Sequence, residues 1–152
     1  MTGQQFAAVL LRLSFLVQHG YGEVSREHGL TPQQAQLLCM LLGGPVGMAE
    51  LGGWLHLEKS SLTGLVDRAE RRGLVMRVRD ARDRRACQVA LTDRGTELAS
   101  RFHDHVSRSV AGLGGDLCAA DRQRLASTIN RILACHGVPV VAAGRADDAE
   151  PG

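Results

Sequence analysis

The sequence predicts a mainly α-helical fold that carries one small β-hairpin, and three observations lead there. Apolar residues recur at three-four spacing through most of the 152 residues, the rhythm of helices with one buried stripe. That rhythm breaks at Leu74-Val75-Met76-Arg77-Val78 and again at Cys87-Gln88-Val89-Ala90-Leu91, which alternate apolar and polar for part of their length. Between them lies a polar tip, so the two runs pair as a hairpin with a long loop.

The elements follow in order. Phe6, Val9, Leu10, Leu13, Leu16 and Val17 make one stripe on a first helix running to about Gly20 or somewhat beyond. Thr31 as cap and Pro32 at the first helical position start a second helix, about 33–42, which stops at Gly43-Gly44-Pro45. A short third helix fits 48–55, with Leu51, Trp54 and Leu55 inward. A fourth takes about 59–72 and ends at Gly73 as its C-cap. Its apolar Leu62, Leu65, Val66 and Ala69 share a face, which leaves Ser60, Ser61, Thr63, Gly64 and Asp67 mostly on others. After the hairpin, Thr92 caps a long helix to about Gly112, and a last helix covers about 120–136. From Gly137 the composition turns to Val, Ala, Gly, Asp and Pro, a frayed tail. The organisation expected is therefore an N-terminal helix (1–30), a head (31–95), C-terminal helices (96–136) and a disordered tail (137–152).

Charge narrows the function. The net charge is only +2, but from Arg68 to Arg94 nine arginines stand against four carboxylates, a local excess of +5. Arg79, Arg82, Arg84 and Arg85 crowd the hairpin tip, while the tail from Arg145 carries a local −2. A basic patch on a near-neutral protein suits DNA binding, and a cationic finger suits the negative potential of the minor groove. Helix, turn, short helix, longer helix and two-stranded wing is the winged helix-turn-helix order. In such a head the second helix of the pair lies in the major groove and its first residues reach base edges.

Other classes fit poorly. No Gly-rich phosphate loop, nucleophile elbow or HExxH pair occurs, and the carboxylates sit beside arginines as structural ion pairs do. Neither catalytic residues nor a cofactor are expected. His103 and His105 lie two apart on a helix and point to nearly opposite sides, so even with Asp104 and His28 nearby no metal ligand set is expected. Cys39, Cys87, Cys118 and Cys135 lack CxxC spacing, and the N-terminus lacks a basic leader. No apolar stretch approaches the roughly 20 residues of a membrane span. A cytoplasmic protein with reduced thiols and no membrane partner is the expectation.

The motifs are more specific than the pattern. Leu65-Val66-Asp67-Arg68, Arg72-Gly73-Leu74-Val75, Asp80, Asp83-Arg84-Arg85 and Leu91-Thr92 together resemble the MarR family of bacterial transcription regulators, strongly over 31–95. The resemblance implies a homodimer built from the first and last helices, binding double-stranded DNA at an inverted-repeat operator, with repression as the default outcome. The apolar stripes agree: Phe6, Val9, Leu13 and Leu16, with Leu125, Ile129, Ile132 and Leu133, exceed what a small head could bury. An intramolecular bundle is the alternative for those stripes.

Site residues follow as expectations. Lys59 would touch the DNA backbone, and Ser60, Ser61, Thr63 and Arg68 the major groove or its phosphates. Arg82, Arg84 and Arg85 belong to the wing, and by resemblance Arg85 enters the minor groove. Asp83 would orient a tip arginine, and Asp67 would hold another wing arginine and set the wing angle. Family members bind small aromatic or phenolic effectors in a cleft between dimer helices and head. Leu16, His19, Gln36, Met40 and Trp54 are the lining candidates, each equally readable as core. Cys39 lies in an apolar run and reads as an inert thiol, whereas Cys87, among arginines, is the candidate for a redox-sensing variant of the same regulator. A winged-helix adaptor that binds protein is the remaining alternative.

Overall fold

Local capping decides where the first two helices begin. The computed structural model describes residues 1–80, 82–83 and 86–138. Helix α1, Gly3–Glu27, opens on a capping box between Thr2 and Gln5. Helix α2, Pro32–Met40, opens on the same device between Thr31 and Gln34, with Pro32 in the first turn. Then come strand β1 (Val46–Gly47), α3 (Met48–Leu55), α4 (Lys59–Arg71), strands β2 (Val75–Arg79) and β3 (Cys87–Leu91), and α5 (Asp93–Gly112). Helix α6, Ala119–Cys135, completes the described elements.

Between α4 and β2 the chain must reverse within three residues. Gly73 supplies the left-handed turn, at φ 72°. The amide of Leu74 then donates to the Ala69 carbonyl at 3.0 Å, closing the end of the helix. The wing is antiparallel and in register from Val75 opposite Leu91 to Arg79 opposite Cys87. It is a three-stranded sheet, ordered β1-β3-β2, rather than the two-stranded hairpin expected. The added strand places Val46 opposite Val89 and Gly47 opposite Gln88, tying the start of α3 to the wing.

Leu37, Leu38, Leu51, Leu62, Leu65, Val66, Leu74, Val75, Val89 and Phe102 are fully buried together. Each such side chain contributes roughly 1.5–3 kcal/mol on burial. Helix α5 joins this core through Gly95, Ala99, Phe102 and Val106, one face at helical spacing. Tyr21 and His28 each meet Phe102 in a T-shaped contact, ring centres 5.2 and 5.8 Å apart.

One feature corrects the expectations. Trp54 does not face inward with Leu51 and Leu55; it is 41 % exposed, because the short helix buries Leu51 and turns the indole outward. Helix α1 continues beyond Gly20 to Glu27, since Val24 and Ser25 near its end are buried in the core and hold it helical.

The chain divides into two compact units, Met1–Ala111 and Gly112–Gly152. In the first, Phe6, Val9, Leu10, Leu13, Phe15 and Leu16 of α1 remain exposed. In the second, α6 has no buried residue, and Leu125 and Ile132 are exposed. Of the tail expected from Gly137, residues 139–152 lie outside the described residues.

Candidate nucleic-acid interface

The helix pair is set by a left-handed residue. His56 caps α3 at φ 53° and ψ 42°, and the Leu57 amide donates to the Gly52 carbonyl at 3.0 Å. The chain is thereby turned into α4, whose N-cap is Glu58. Helix α4 buries Leu62, Leu65, Val66 and Ala69, and this fixes what its other faces present. Lys59, Ser60, Ser61 and Arg68 are exposed, and Thr63 is half-buried. The Thr63 hydroxyl donates to the Lys59 carbonyl at 2.8 Å, so it is engaged by its own helix. The Arg68 guanidinium lies across Gly64, with Nη1 3.2 Å from where a Cβ on that glycine would stand. A shallow groove at the start of the helix is lined by Glu58, Lys59, Ser60 and Thr63.

Arg77 joins the wing to this helix. From β2 its Nη2 donates to Asp67 Oδ1 at 2.6 Å, and its Nη1 to Glu70 Oε1 at 2.9 Å. The hydrogen bond to Asp67 holds the guanidinium protonated more firmly than usual; desolvation by burial opposes it, and the charges of Glu70 and Asp67 add to it. Asp67 thus meets a wing arginine, one in the strand rather than at the tip. Neither Arg77 nor Glu70 is among the residues singled out from sequence. The available signal was that Asp67 and Glu70, three apart, share one helix face beside an arginine-bearing strand. A second cross-link ties α4 to α2: Arg72 Nη1 donates to Gln34 Oε1 at 3.0 Å.

At the wing tip the Arg82 amide donates to Asp80 Oδ1 at 2.9 Å, and the Ala86 amide to the Asp83 carbonyl at 3.0 Å. The Asp80 amide donates to the Ala86 carbonyl at 3.1 Å and closes the loop. Arg82 and Asp83 are exposed; Arg84 and Arg85 lie outside the described residues. Cys87 is exposed at the start of β3. Burial pushes the half-buried Cys39 thiol up to about 11, in the protonated and unreactive direction.

The effector candidates are scattered over several elements. Leu16 is 51 % exposed on α1, where His19 pairs with Glu23 at 3.4 Å. Gln36 is exposed on α2, and Met40 packs against the core. None of these, nor Trp54, lines either described cavity of the head. Among the histidines, His28 Nε2 meets His105 Nδ1 at 3.0 Å, and His103 is exposed. Among the described residues no group of three potential ligands could hold a metal. No helix there is long and apolar enough to cross a membrane.

Known proteins agree with this geometry. Residues 28–86 match the model of the MarR family. An uncharacterized HTH-type transcriptional regulator of Bacillus subtilis, YkoM, is 31 % identical over 97 residues. That match takes in 60 % of this chain and 63 % of YkoM, so under two thirds of that relative's length is spanned. The homoprotocatechuate degradative operon repressor of Escherichia coli is 27 % identical over 112 residues, 73 % of this chain and 76 % of the repressor. Among solved structures, a mutant of MarR from E. coli complexed with operator DNA superposes with a TM-score of 0.71. It covers 85 % of this chain and 94 % of its own at 21 % identity, a likeness of fold. The winged-helix segment of this chain, residues 28–86, is thus similar to the MarR family.

Proposed function

We propose that this protein is a cytoplasmic, sequence-specific DNA-binding transcriptional regulator that represses from a palindromic operator as a homodimer and is released by a small aromatic or phenolic effector. The observation that carries the reading is the solvent face of α4, where Lys59, Ser60, Ser61 and Arg68 stand exposed beside a wing locked to the same helix through Arg77. Lys59 and Arg68 take backbone phosphates, the serine hydroxyls reach base edges, and the wing enters the adjacent minor groove with Arg85. Arg82 and Arg84 neutralise flanking phosphates, and Asp83 orients the tip. The names of the two relatives support regulation, and one of them is a repressor.

Dimerisation is supported by exposed apolar side chains. Phe6, Val9, Leu13 and Leu16 on α1 of the first unit, and Leu125 and Ile132 on α6 of the second, leave large apolar side chains open to water, as surfaces that meet a partner do. A two-fold dimer matches half-sites one helical turn apart.

Selection of genomic fragments with the purified protein, then salt titration on the enriched site, tests this reading. One imperfect palindrome is expected, with log affinity falling linearly in log salt. Arg85→Ala should flatten the salt slope by about one unit if it holds a phosphate, or weaken binding by about 1–3 kcal/mol if it reads a base. Uniform weak enrichment, or unchanged affinity in Arg85→Ala at fixed salt, refutes it.

A further inference from the structure

We propose that Arg72, the C-cap of α4, is a positioning residue for DNA recognition: its bond to Gln34 of α2 sets the tilt of α4 and thereby its power to discriminate between base sequences. This role rests on the DNA-binding reading and names what aims the helix.

Arg72 is coupled to α4 through its own backbone, since its amide donates to the Arg68 carbonyl at 3.2 Å. Its side chain then crosses to α2, where Nη1 donates to Gln34 Oε1 at 3.0 Å. Gln34 is 7 % exposed, and the same Oε1 accepts the Thr31 amide at 3.2 Å. An amide oxygen carries two lone pairs, and these two bonds use both. One buried side chain therefore joins the start of α2 to the end of α4.

The seat of the guanidinium is fixed from behind as well. Nη2 of Arg72 lies 3.8 Å from where a Cβ on Gly29 would stand. Gly29 turns through φ 68°, its amide donates to the Arg26 carbonyl at 3.0 Å, and the Leu30 amide donates to the Ser25 carbonyl at 2.9 Å. His28 Nε2 meets His105 Nδ1 of α5 at 3.0 Å. Arg72 thus rests on a corner that α1, α2 and α5 hold together.

Leverage gives this contact its effect. Helix α4 has 13 residues, and at about 1.5 Å of rise each it spans about 20 Å. A tilt of about 5° at the Arg72 end carries Lys59, Ser60 and Ser61 through about 1.7 Å over that length. Hydrogen bonds to base edges hold only over a range of about 0.5 Å. Leu62, Leu65, Val66 and Ala69 bury the helix, but hydrophobic burial is non-directional, so the polar contact decides the last few degrees. Attraction to phosphate falls slowly with distance and tolerates such a shift. Loss of the Arg72–Gln34 bond accordingly removes sequence discrimination more than general affinity.

The test measures binding by fluorescence anisotropy to the fragment that genomic selection enriches and to poly(dI-dC), over a salt series. Arg72→Met should weaken binding to the enriched fragment by about fivefold or more, with the salt slope and the poly(dI-dC) affinity unchanged. Gln34→Leu, which leaves the Arg72 charge in place, should reproduce that loss, whereas Gln34→Glu, which keeps the acceptor, should not. The double variant Arg72→Met/Gln34→Leu should bind no more weakly than either single one. In the DNA-free protein, amide hydrogen exchange over 59–71 should quicken in Arg72→Met and Gln34→Leu and stay unchanged in Gln34→Glu. A salt slope flattened by about one unit in Arg72→Met makes Arg72 a phosphate contact and overturns the proposal. Retained discrimination in Gln34→Leu, or exchange that does not quicken, overturns it too. If the unmutated chain prefers no fragment, the DNA-binding reading falls, and the exchange rates still decide whether Arg72 holds α4.

Discussion

Gly95→Ala is the substitution whose effect the packing determines most sharply. Gly95 is buried in the first turn of α5, against the backbone of Leu74 where β2 begins. A Cβ there would fall inside contact distance of the Leu74 carbonyl oxygen and 2.8 Å from its carbonyl carbon. Carbon atoms in contact need about 3.5–4.0 Å, so the turn must retreat by more than half an ångström or the strand must shift. That joint is held by short bonds: Thr92 Oγ1 donates to the Gly73 carbonyl at 2.6 Å, and the Thr92 amide to the Leu74 carbonyl at 3.1 Å. The Gly95 amide in turn donates to Thr92 Oγ1 at 3.0 Å. Overpacking of about 1–3 kcal/mol plus one or two weakened hydrogen bonds of about 1 kcal/mol each gives a loss of roughly 2–5 kcal/mol. Helix propensity alone predicts the reverse, a gain of up to about 1 kcal/mol, so the sign alone decides. Urea unfolding followed by circular dichroism, at one protein concentration, should show the midpoint falling by about 1 M or more. A midpoint equal to or above that of the unmutated chain refutes the close approach.

Three further outcomes are expected. Asp67→Asn should cost only about 0.5–1 kcal/mol of stability, because its pair with Arg77 is partly exposed and solvent-screened. Operator binding should nonetheless weaken by about threefold or more, as the wing loses its fixed angle; an unchanged gel-shift affinity contradicts that role. His56→Gly should raise stability by about 0.5–1 kcal/mol, since glycine occupies the left-handed region without strain, and a fall in melting temperature counts against it. Cys39 should be the slowest of the four thiols to react with an alkylating reagent at pH 8. Its folded pKa is raised above the ordinary 9.0 to about 11 by burial, so its contribution to stability is complete below about pH 9 and is lost as pH rises toward 11. Removing the thiol by Cys39→Ala should flatten the stability profile in that window, and an identical profile rules the effect out.

Much of the head was legible because local chemistry and global packing agree there. Thr31-Pro32 starts α2, Gly73 stops α4, and the alternation around Val75 and Val89 marks the wing strands. Strand β1 was not legible: two residues, Val46 and Gly47, carry no period, and their pairing with β3 is long-range. The end of α1 was legible only loosely, as lying beyond Gly20. Gly20 and Gly22 weaken the helical pattern locally, yet burial of Val24 beyond them outweighs propensity. Trp54 misled because apolar residues at 51, 54 and 55 fit one helical face, whereas a helix of eight residues needs only part of that face covered. At the interface, residue types identified Asp67 as a holder of some arginine. Choosing Arg77 from several candidates required the strand register and the helix orientation together.

That choice bears on what the solvent face of α4 is for. A merely solvated face gains little from a fixed guanidinium, because partly exposed ion pairs contribute at most about 1 kcal/mol. A face that meets DNA has a stronger requirement. Asp67 and Glu70 lie on the same helix as Lys59 and Arg68, and two unpaired carboxylates there would repel an approaching phosphate backbone. Arg77 reaches both carboxylates from the neighbouring strand, at 2.6 and 2.9 Å, offsetting part of their charge and fixing the hairpin beside the helix in the same contact. Arg77→Met should therefore act in two ways at once, weakening operator binding through uncompensated negative charge and through a freed wing. Adding Asp67→Asn and Glu70→Gln to it removes only the first. If the triple variant recovers part of the affinity lost in Arg77→Met, charge compensation and wing positioning are separable functions of one side chain; full recovery would leave no role for the wing angle.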